Sequence, residues 1–137
     1  MHTVVTSTSS DAHTWNLIYL ELLLQEQGHE VTNLGACVPD ALVIGECRRH
    51  RPDLIVVSSV NGHGANDGLR LIRQIRTTEE LARTPVVIGG KLGTSGDGAA
   101  AWAPRLREAG FDAVFGESEG ILPFRGYLDR LAAGVRV

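Results

Sequence analysis

The feature that most constrains the fold is a regular alternation of five apolar, β-branched segments with five segments of helical periodicity. The predicted strands span residues 2–8, 29–35, 53–59, 85–90 and 111–116, and the predicted helices span 14–28, 39–51, 67–83, 98–109 and 119–133. Strands that alternate with helices of this length are typical of βαβ units, in which the strands run parallel. The third strand, "DLIVVSS", is a continuous apolar run, which indicates burial on both faces of the sheet.

Five such units predict an α/β fold with a doubly wound (flavodoxin-like or Rossmann-like) five-stranded parallel sheet. The expected strand order is 2-1-3-4-5, with helices on both faces. A closed (β/α) barrel requires eight units and about 250 residues, whereas the chain has 137. We therefore predict that residues 1–137 form a single domain.

Composition excludes several classes of partner. The net charge is −3 and no basic cluster has interleaved aromatic residues, which disfavours nucleic acid. No apolar run approaches the roughly 20 residues of a membrane helix, and no secretion signal is evident.

Cys37 and Cys47 have no metal-binding or disulfide pattern, so we expect core thiols in a reducing, cytoplasmic protein.

The chemistry is expected at one end of the sheet. In doubly wound folds, ligands bind at the carboxyl ends of the strands where the winding reverses, here between strands one and three. The segments after strands one, three and four are "SSDAHT" (9–14), "SSVNGHGAN" (58–66) and "GGKLGTSGDG" (89–98). The connections at the other end have the composition of ordinary turns. The sequence therefore predicts one cleft walled by serine, glycine and histidine.

Common motifs for such a cleft do not fit. Ser58 or Ser59 would suit a hydrolase, but no GxSxG elbow is present. The segment "GGKLGTSG" fails the spacing of a phosphate-binding P-loop. A response regulator requires an aspartate where this chain has Ser58, and a flavodoxin-type flavin site favours a glycine-rich loop where this chain has "TSTSSDAHT".

The pair Asp11 and His13 in the first loop has several possible uses. A carboxylate can accept the Nδ1–H of an imidazole and leave Nε2 free for a metal or a proton. One histidine cannot hold a zinc ion, but it can serve as an axial ligand to a metal already held by a macrocycle. The spacing alone leaves metal ligation, proton transfer and loop structuring open.

Three motifs together resemble a known family. The chain has Asp11-Ala12-His13-Thr14-Trp15-Asn16, then Ser58-Ser59-Val60, then Gly89-Gly90. This pattern is similar to the Asp-x-His-x-x-Gly, Ser-x-Leu and Gly-Gly motifs of the cobalamin-binding small subunit of glutamate mutase (methylaspartate mutase) and its relatives. The resemblance runs from about residue 3 to residue 131. Asn16 in place of glycine and Val60 in place of leucine are its two departures.

The resemblance implies an adenosylcobalamin site whose cobalt has His13 as its lower axial ligand. His13 would replace the dimethylbenzimidazole base, and Asp11 would hold its other ring nitrogen. The displaced nucleotide tail would enter a slot beside the sheet, where Ser58 hydrogen-bonds the base and Val60 lines the pocket. Gly89 and Gly90 would leave room for that tail. The remaining implied cofactor contacts are Ser10, Ala12, Thr14, Ser59, Lys91, Leu92 and Gly93.

The implied function is that of a component of a carbon-skeleton mutase, an isomerase that acts through radicals on glutamate or a similar amino acid. No residue of this chain would be catalytic beyond cofactor ligation. A separate, larger subunit would bind the substrate and cover the upper corrin face, so the chain would not be active alone. The alternatives are a corrinoid carrier for a methyltransferase or another cobalamin enzyme and, third, a flavin or phosphate binder. The arginines of helices three to five are expected to form solvated faces.

Overall fold

The sheet has the predicted architecture. The computed structural model describes residues 1–9, 15–59, 64–90, 98–116 and 121–134. Five parallel strands lie in the order β2-β1-β3-β4-β5, which confirms the doubly wound α/β fold. The strands are β1 (His2–Ser7), β2 (Glu30–Asn33), β3 (Leu54–Ser59), β4 (Val86–Gly90) and β5 (Ala113–Gly116).

Each strand is followed by a helix, as predicted, and the helix ends are shifted from the predicted ones. They are α1 (Trp15–Glu26), α2 (Asp40–His50), α3 (Gly64–Thr77), α4 (Gly98–Ala109) and α5 (Leu122–Ala132). In the part of the chain that the structure describes, no helix is long and apolar enough to cross a membrane. Pro39 adopts an extended conformation immediately before α2, so it lies outside the first turn in which we predicted it.

The third helix differs from its predicted span of 67–83 at both ends. It begins at Gly64 and ends at Thr77, followed by a 3₁₀ turn at Glu79–Leu81. The hydroxyls of Thr77 and Thr78 donate to the carbonyl oxygen of Gln74 at 3.0 and 2.8 Å. Threonine side chains that bond the backbone in this way compete with helical hydrogen bonds, which explains why the helix ends before its apolar period does.

Two apolar layers cover the two faces of the sheet. Successive residues of a strand point to opposite faces, so Ile55 and Val57 of β3 pack with α2, α3 and α4. Leu54 and Val56 pack with α1 and α5 on the other face. All six residues of β3 are buried, as its continuous apolar run predicted. The predicted site residues Ser58 and Gly89 lie on the α1–α5 face.

The two cysteines should differ sharply in reactivity. Cys47 is fully buried in α2, and burial raises the pKa of its thiol to about 12, whereas Cys37 is exposed. The expectation of a core thiol is therefore confirmed for Cys47 and wrong for Cys37. Because the thiolate is the reactive form, a disulfide reagent at pH 8 should label one thiol per folded chain and two per unfolded chain. Rapid labelling of both thiols in the folded protein would contradict this.

The same shift in the pKa of Cys47 predicts a loss of stability in alkali. The thiol of the unfolded chain ionises near its ordinary value of 9.0, whereas the folded protein keeps the thiol protonated. Its contribution to the free energy of unfolding is therefore fully present below about pH 9 and declines as the pH rises towards 12. Urea unfolding at a series of pH values measures this decline, and a Cys47→Ala variant should show less of it.

Candidate functional site

The strand order places the three motif-bearing strands side by side. In the sheet, Ser7 of β1 is opposite Ser58 of β3, which in turn is opposite Gly89 of β4. Ser59 is likewise opposite Gly90. The carboxyl ends of adjacent strands therefore bring together four residues that were predicted to form the cleft: Ser58, Ser59, Gly89 and Gly90.

Four of the predicted site residues fall within the described ranges. Ser58 is 4% exposed and Ser59 is fully buried, while Gly89 and Gly90 are partly buried. The other predicted residues lie outside the described part of the chain and stay predictions: Ser10, Asp11, Ala12, His13, Thr14, Val60, Lys91, Leu92 and Gly93.

Ser58 and Gly89 form a strip on the α1–α5 face of the sheet. Both lie two residues beyond a member of the apolar layer on that face, Val56 and Val87 respectively, so the alternation of the strands places them on the same side. A Cβ atom on Gly89 would lie 3.3 Å from the carbonyl oxygen of Phe115. The Ser58–Gly89 strip therefore has a hydroxyl at one position and bare backbone at the next.

Aromatic residues border the strip on the β5 side. Phe115 of β5 makes edge-to-face contacts with Phe124 and Tyr127 of α5, at ring-centroid distances of 5.5 and 6.0 Å. Phe124 and Tyr127 are buried, and Phe115 is partly buried against the same apolar layer. This packing fixes one border of the strip in place.

Gly90 is required by the protein's own backbone. Its φ is +107°, and a Cβ atom there would run into the backbone carbonyl group of Ser59. Side chains are strained at such angles, and glycine adopts them freely. The sequence suggested that this glycine leaves room for a ligand, and the structure adds a reason that holds without any ligand.

Asn16 makes a contact with the site that sequence reasoning missed. Its Nδ2 donates to the Oγ of Ser58 at 2.6 Å, joining the first turn of α1 to the carboxyl end of β3. In the sequence, Asn16 is a departure from the family motif, and it was not among the predicted site residues. Its side chain borders the Ser58–Gly89 strip on the α1 side.

Thr8 adds an unsatisfied polar atom at this end of the sheet. The residue follows directly after β1 and is 1% exposed, and its hydroxyl has no hydrogen-bond partner among the described residues. A buried hydroxyl without a partner is costly, because it loses its bonds to water and gains none in return.

Arg70 of α3 bonds Ser9, which lies two residues after the end of β1. Its guanidinium donates to Asp40 at 2.7 Å, to Ser9 Oγ at 2.8 Å and to Asp67 at 3.2 Å. Its side chain is 49% exposed, which confirms the expected solvated face for this arginine, and these bonds add a structural contact to it. Arg76 is also engaged, because its guanidinium donates to several backbone carbonyl groups. Helical spacing cannot reveal such bonds, since Ser9 lies 61 residues from Arg70.

A separate cavity lies at the opposite, amino end of the sheet. It has a volume of about 460 Å³ and is lined by residues that include His29 and Asp53. His29 is 8% exposed, and its pKa is lowered by burial and secondarily by the positive chain terminus. Ligands of parallel α/β sheets bind at the other end, so we assign this cavity no part in the site.

The fold and the site define a class. The family described as the B12 binding domain matches residues 1–123 of this chain. Because that match covers most of the domain, the chain belongs to the family of B12-binding domains.

Two individual relatives make the comparison more specific than the family match does. The chain is 34% identical over 119 residues to the glutamate mutase sigma subunit of Halobacterium salinarum. The matched region covers 86% of this chain and 78% of the relative. The chain is 31% identical over 112 residues to the glutamate mutase sigma subunit of Fusobacterium nucleatum, which covers 82% of each chain.

A solved structure shares the fold. A cobalamin-binding protein from Desulfitobacterium hafniense DCB-2 superposes with a TM-score of 0.67 at 17% identity, covering 82% of this chain and 51% of that one. The chain thus spans about half the length of that protein, and at this identity the likeness is one of fold alone.

Proposed function

We propose that this chain is the cobalamin-binding component of an adenosylcobalamin-dependent mutase that rearranges the carbon skeleton of glutamate or a similar amino acid. The observation that carries the proposal is the adjacency of β1, β3 and β4, which brings the ends of three motif-bearing strands together. The identity to two glutamate mutase sigma subunits over most of their length supports it.

The described residues fit the polar tail of the cofactor. A nucleotide tail lying against a sheet needs hydrogen-bonding groups and freedom from projecting side chains. The Ser58–Gly89 strip offers both. In the proposal, Ser58 bonds the lower base and Gly89 lets the tail approach the backbone.

His13 is the proposed lower axial ligand of cobalt, with the dimethylbenzimidazole base displaced. Asp11 would accept the other ring N–H, which orients the imidazole and makes its free nitrogen a stronger donor. Within the described ranges, no group of three or more histidine, cysteine, aspartate or glutamate residues could hold a metal ion. A single histidine suits a metal that arrives already held by a corrin ring.

Bound adenosylcobalamin would supply the radical chemistry through its cobalt–carbon bond. The task of this chain is to bind and orient the cofactor from below. The other residues proposed to contact it are Ser10, Ala12, Thr14, Ser59, Val60, Gly90, Lys91, Leu92 and Gly93.

A separate, larger subunit would complete the enzyme in this proposal. It would cover the upper corrin face and bind the substrate, because Lys91 is the only lysine or arginine in the three motif segments and offers little to hold a dicarboxylic amino acid. The relatives are named sigma subunits, which supports a multi-subunit enzyme. Both cysteines are free thiols, which is consistent with a proposed cytoplasmic location.

Corrinoid titration and an activity assay test the proposal together. The purified chain should bind adenosylcobalamin saturably and convert its absorption spectrum to the form without the dimethylbenzimidazole ligand, and flavin mononucleotide should not bind. Glutamate should rearrange only when the large subunit of a glutamate mutase is added. Turnover by the chain alone would refute the two-component arrangement, and bound flavin would refute the cofactor.

A further inference from the structure

We infer that Asn16 is a specificity-determining residue that discriminates against corrinoids carrying a lower nucleotide tail. This inference rests on the proposed function and concerns the same site. The hydrogen bond from Asn16 to Ser58, called the latch below, closes one side of the Ser58–Gly89 strip until a nucleotide tail displaces the Asn16 side chain.

The geometry of the latch is that of a bridge between two elements. Asn16 is the second residue of α1, and Ser58 lies near the carboxyl end of β3. The bond of 2.6 Å from Nδ2 to Oγ therefore crosses the corner between the helix and the sheet. Ser58 is 4% exposed and Asn16 is partly buried, so water competes weakly for this bond.

The position of the latch makes it selective. The amide of Asn16 lies against the one hydroxyl that we assign to the displaced base, while Gly89 on the other side of Ser58 contributes no side chain. Phe115 is fixed by its contacts with α5, so the border on the β5 side has little freedom to move. A tail that reaches Ser58 must therefore be accommodated on the α1 side, where Asn16 lies.

A tail-bearing corrinoid thus loses part of its binding free energy in displacing the amide, whereas a corrinoid without a tail does not. Replacing one intramolecular hydrogen bond of this kind changes an affinity by roughly three- to tenfold. Asn16 is also the position at which the chain departs from the glycine of the resembling motif.

Binding of two corrinoids to Asn16→Ala tests the inference. Alanine removes the amide and keeps a good helix former in the first turn of α1. Titrations followed by visible absorption would use aquocobalamin, which has the tail, and diaquocobinamide, which lacks it. We expect the variant to bind aquocobalamin roughly three- to tenfold more tightly than the unmodified chain does. Binding of diaquocobinamide should be unchanged.

A matched control comes from the same helix. Gln25→Ala also removes a carboxamide from α1, but this side chain is exposed. Within the described ranges its only side-chain hydrogen bond is to Glu21. The substitution should leave both affinities as they are. Asn16→Gly, which restores the residue of the motif, should shift the ratio of the two affinities in the same direction as Asn16→Ala.

Distinct results separate the inference from the proposed function. Equal shifts for both corrinoids, no shift, or weaker aquocobalamin binding in Asn16→Ala would each overturn the latch while leaving cobalamin binding intact. Failure of the unmodified chain to bind either corrinoid would overturn the proposed function and the latch with it.

Discussion

Replacing His13 with alanine is expected to remove the nitrogen hyperfine coupling of a protein imidazole from the electron paramagnetic resonance spectrum of bound Co(II) corrinoid. The coupling arises because an axial nitrogen shares the unpaired electron of the cobalt, and no other residue is proposed to supply that nitrogen. Loss of an axial ligand should also weaken corrinoid binding, by about 100-fold on the scale seen for changes around bound metals.

His63 provides the matched control for His13. It lies in the segment after the third strand, "NGHG", and is the other histidine in the three motif segments. His63→Ala should keep both the coupling and the affinity. Coupling that disappears in His63→Ala and persists in His13→Ala would contradict the ligand assignment. Coupling from dimethylbenzimidazole in the unmodified chain would contradict histidine ligation altogether.

Replacing Gly90 with alanine should destabilise the fold by about 3 kcal/mol or more. Gly90 has a φ of +107°, and its Cβ would run into the backbone carbonyl group of Ser59 on the neighbouring strand. Backbone cannot swing aside as a flexible side chain can, so β3 and β4 must separate where their register pairs Ser59 with Gly90. Urea unfolding followed by circular dichroism measures the change.

Gly45 is the control for this substitution. It lies within α2, and a Cβ atom there would meet no other atom within 4 Å. Gly45→Ala should therefore leave stability unchanged or raise it by up to about 1 kcal/mol, as alanine does in place of glycine in helices. Equal unfolding midpoints for Gly90→Ala and the unmodified protein would show that the two strands yield easily.

The sheet could be predicted from sequence because its signals are local. The apolar run of β3 and the recurring period of the helices follow from which residues can be buried next to one another in the chain. Strand order and the end of the sheet that bears the site then follow from general rules of parallel sheets. Helix ends were less predictable, as Thr77 and Thr78 show by ending α3 before its apolar period ends.

The contacts within the site could not be predicted in this way. Asn16 bonds a residue 42 positions away, and Arg70 bonds Ser9 across 61 positions. No spacing rule connects such residues, because their proximity depends on how α1 and α3 pack on the sheet. The positive φ of Gly90 was likewise hidden, since a glycine that leaves room for a ligand and one that relieves a backbone clash look the same in sequence.

The sequence by itself determined the α/β class and the strand order, because burial and periodicity are written into neighbouring residues. The three segments in which it places the chemistry stay a prediction. The tertiary structure alone decided how those segments' strands meet. It placed Ser58 beside Gly89, set Asn16 against Ser58 and left the Thr8 hydroxyl without a partner among the described residues. The physical reason is that hydrogen bonds and steric contacts depend on distances in space, which the packing of helices on the sheet creates.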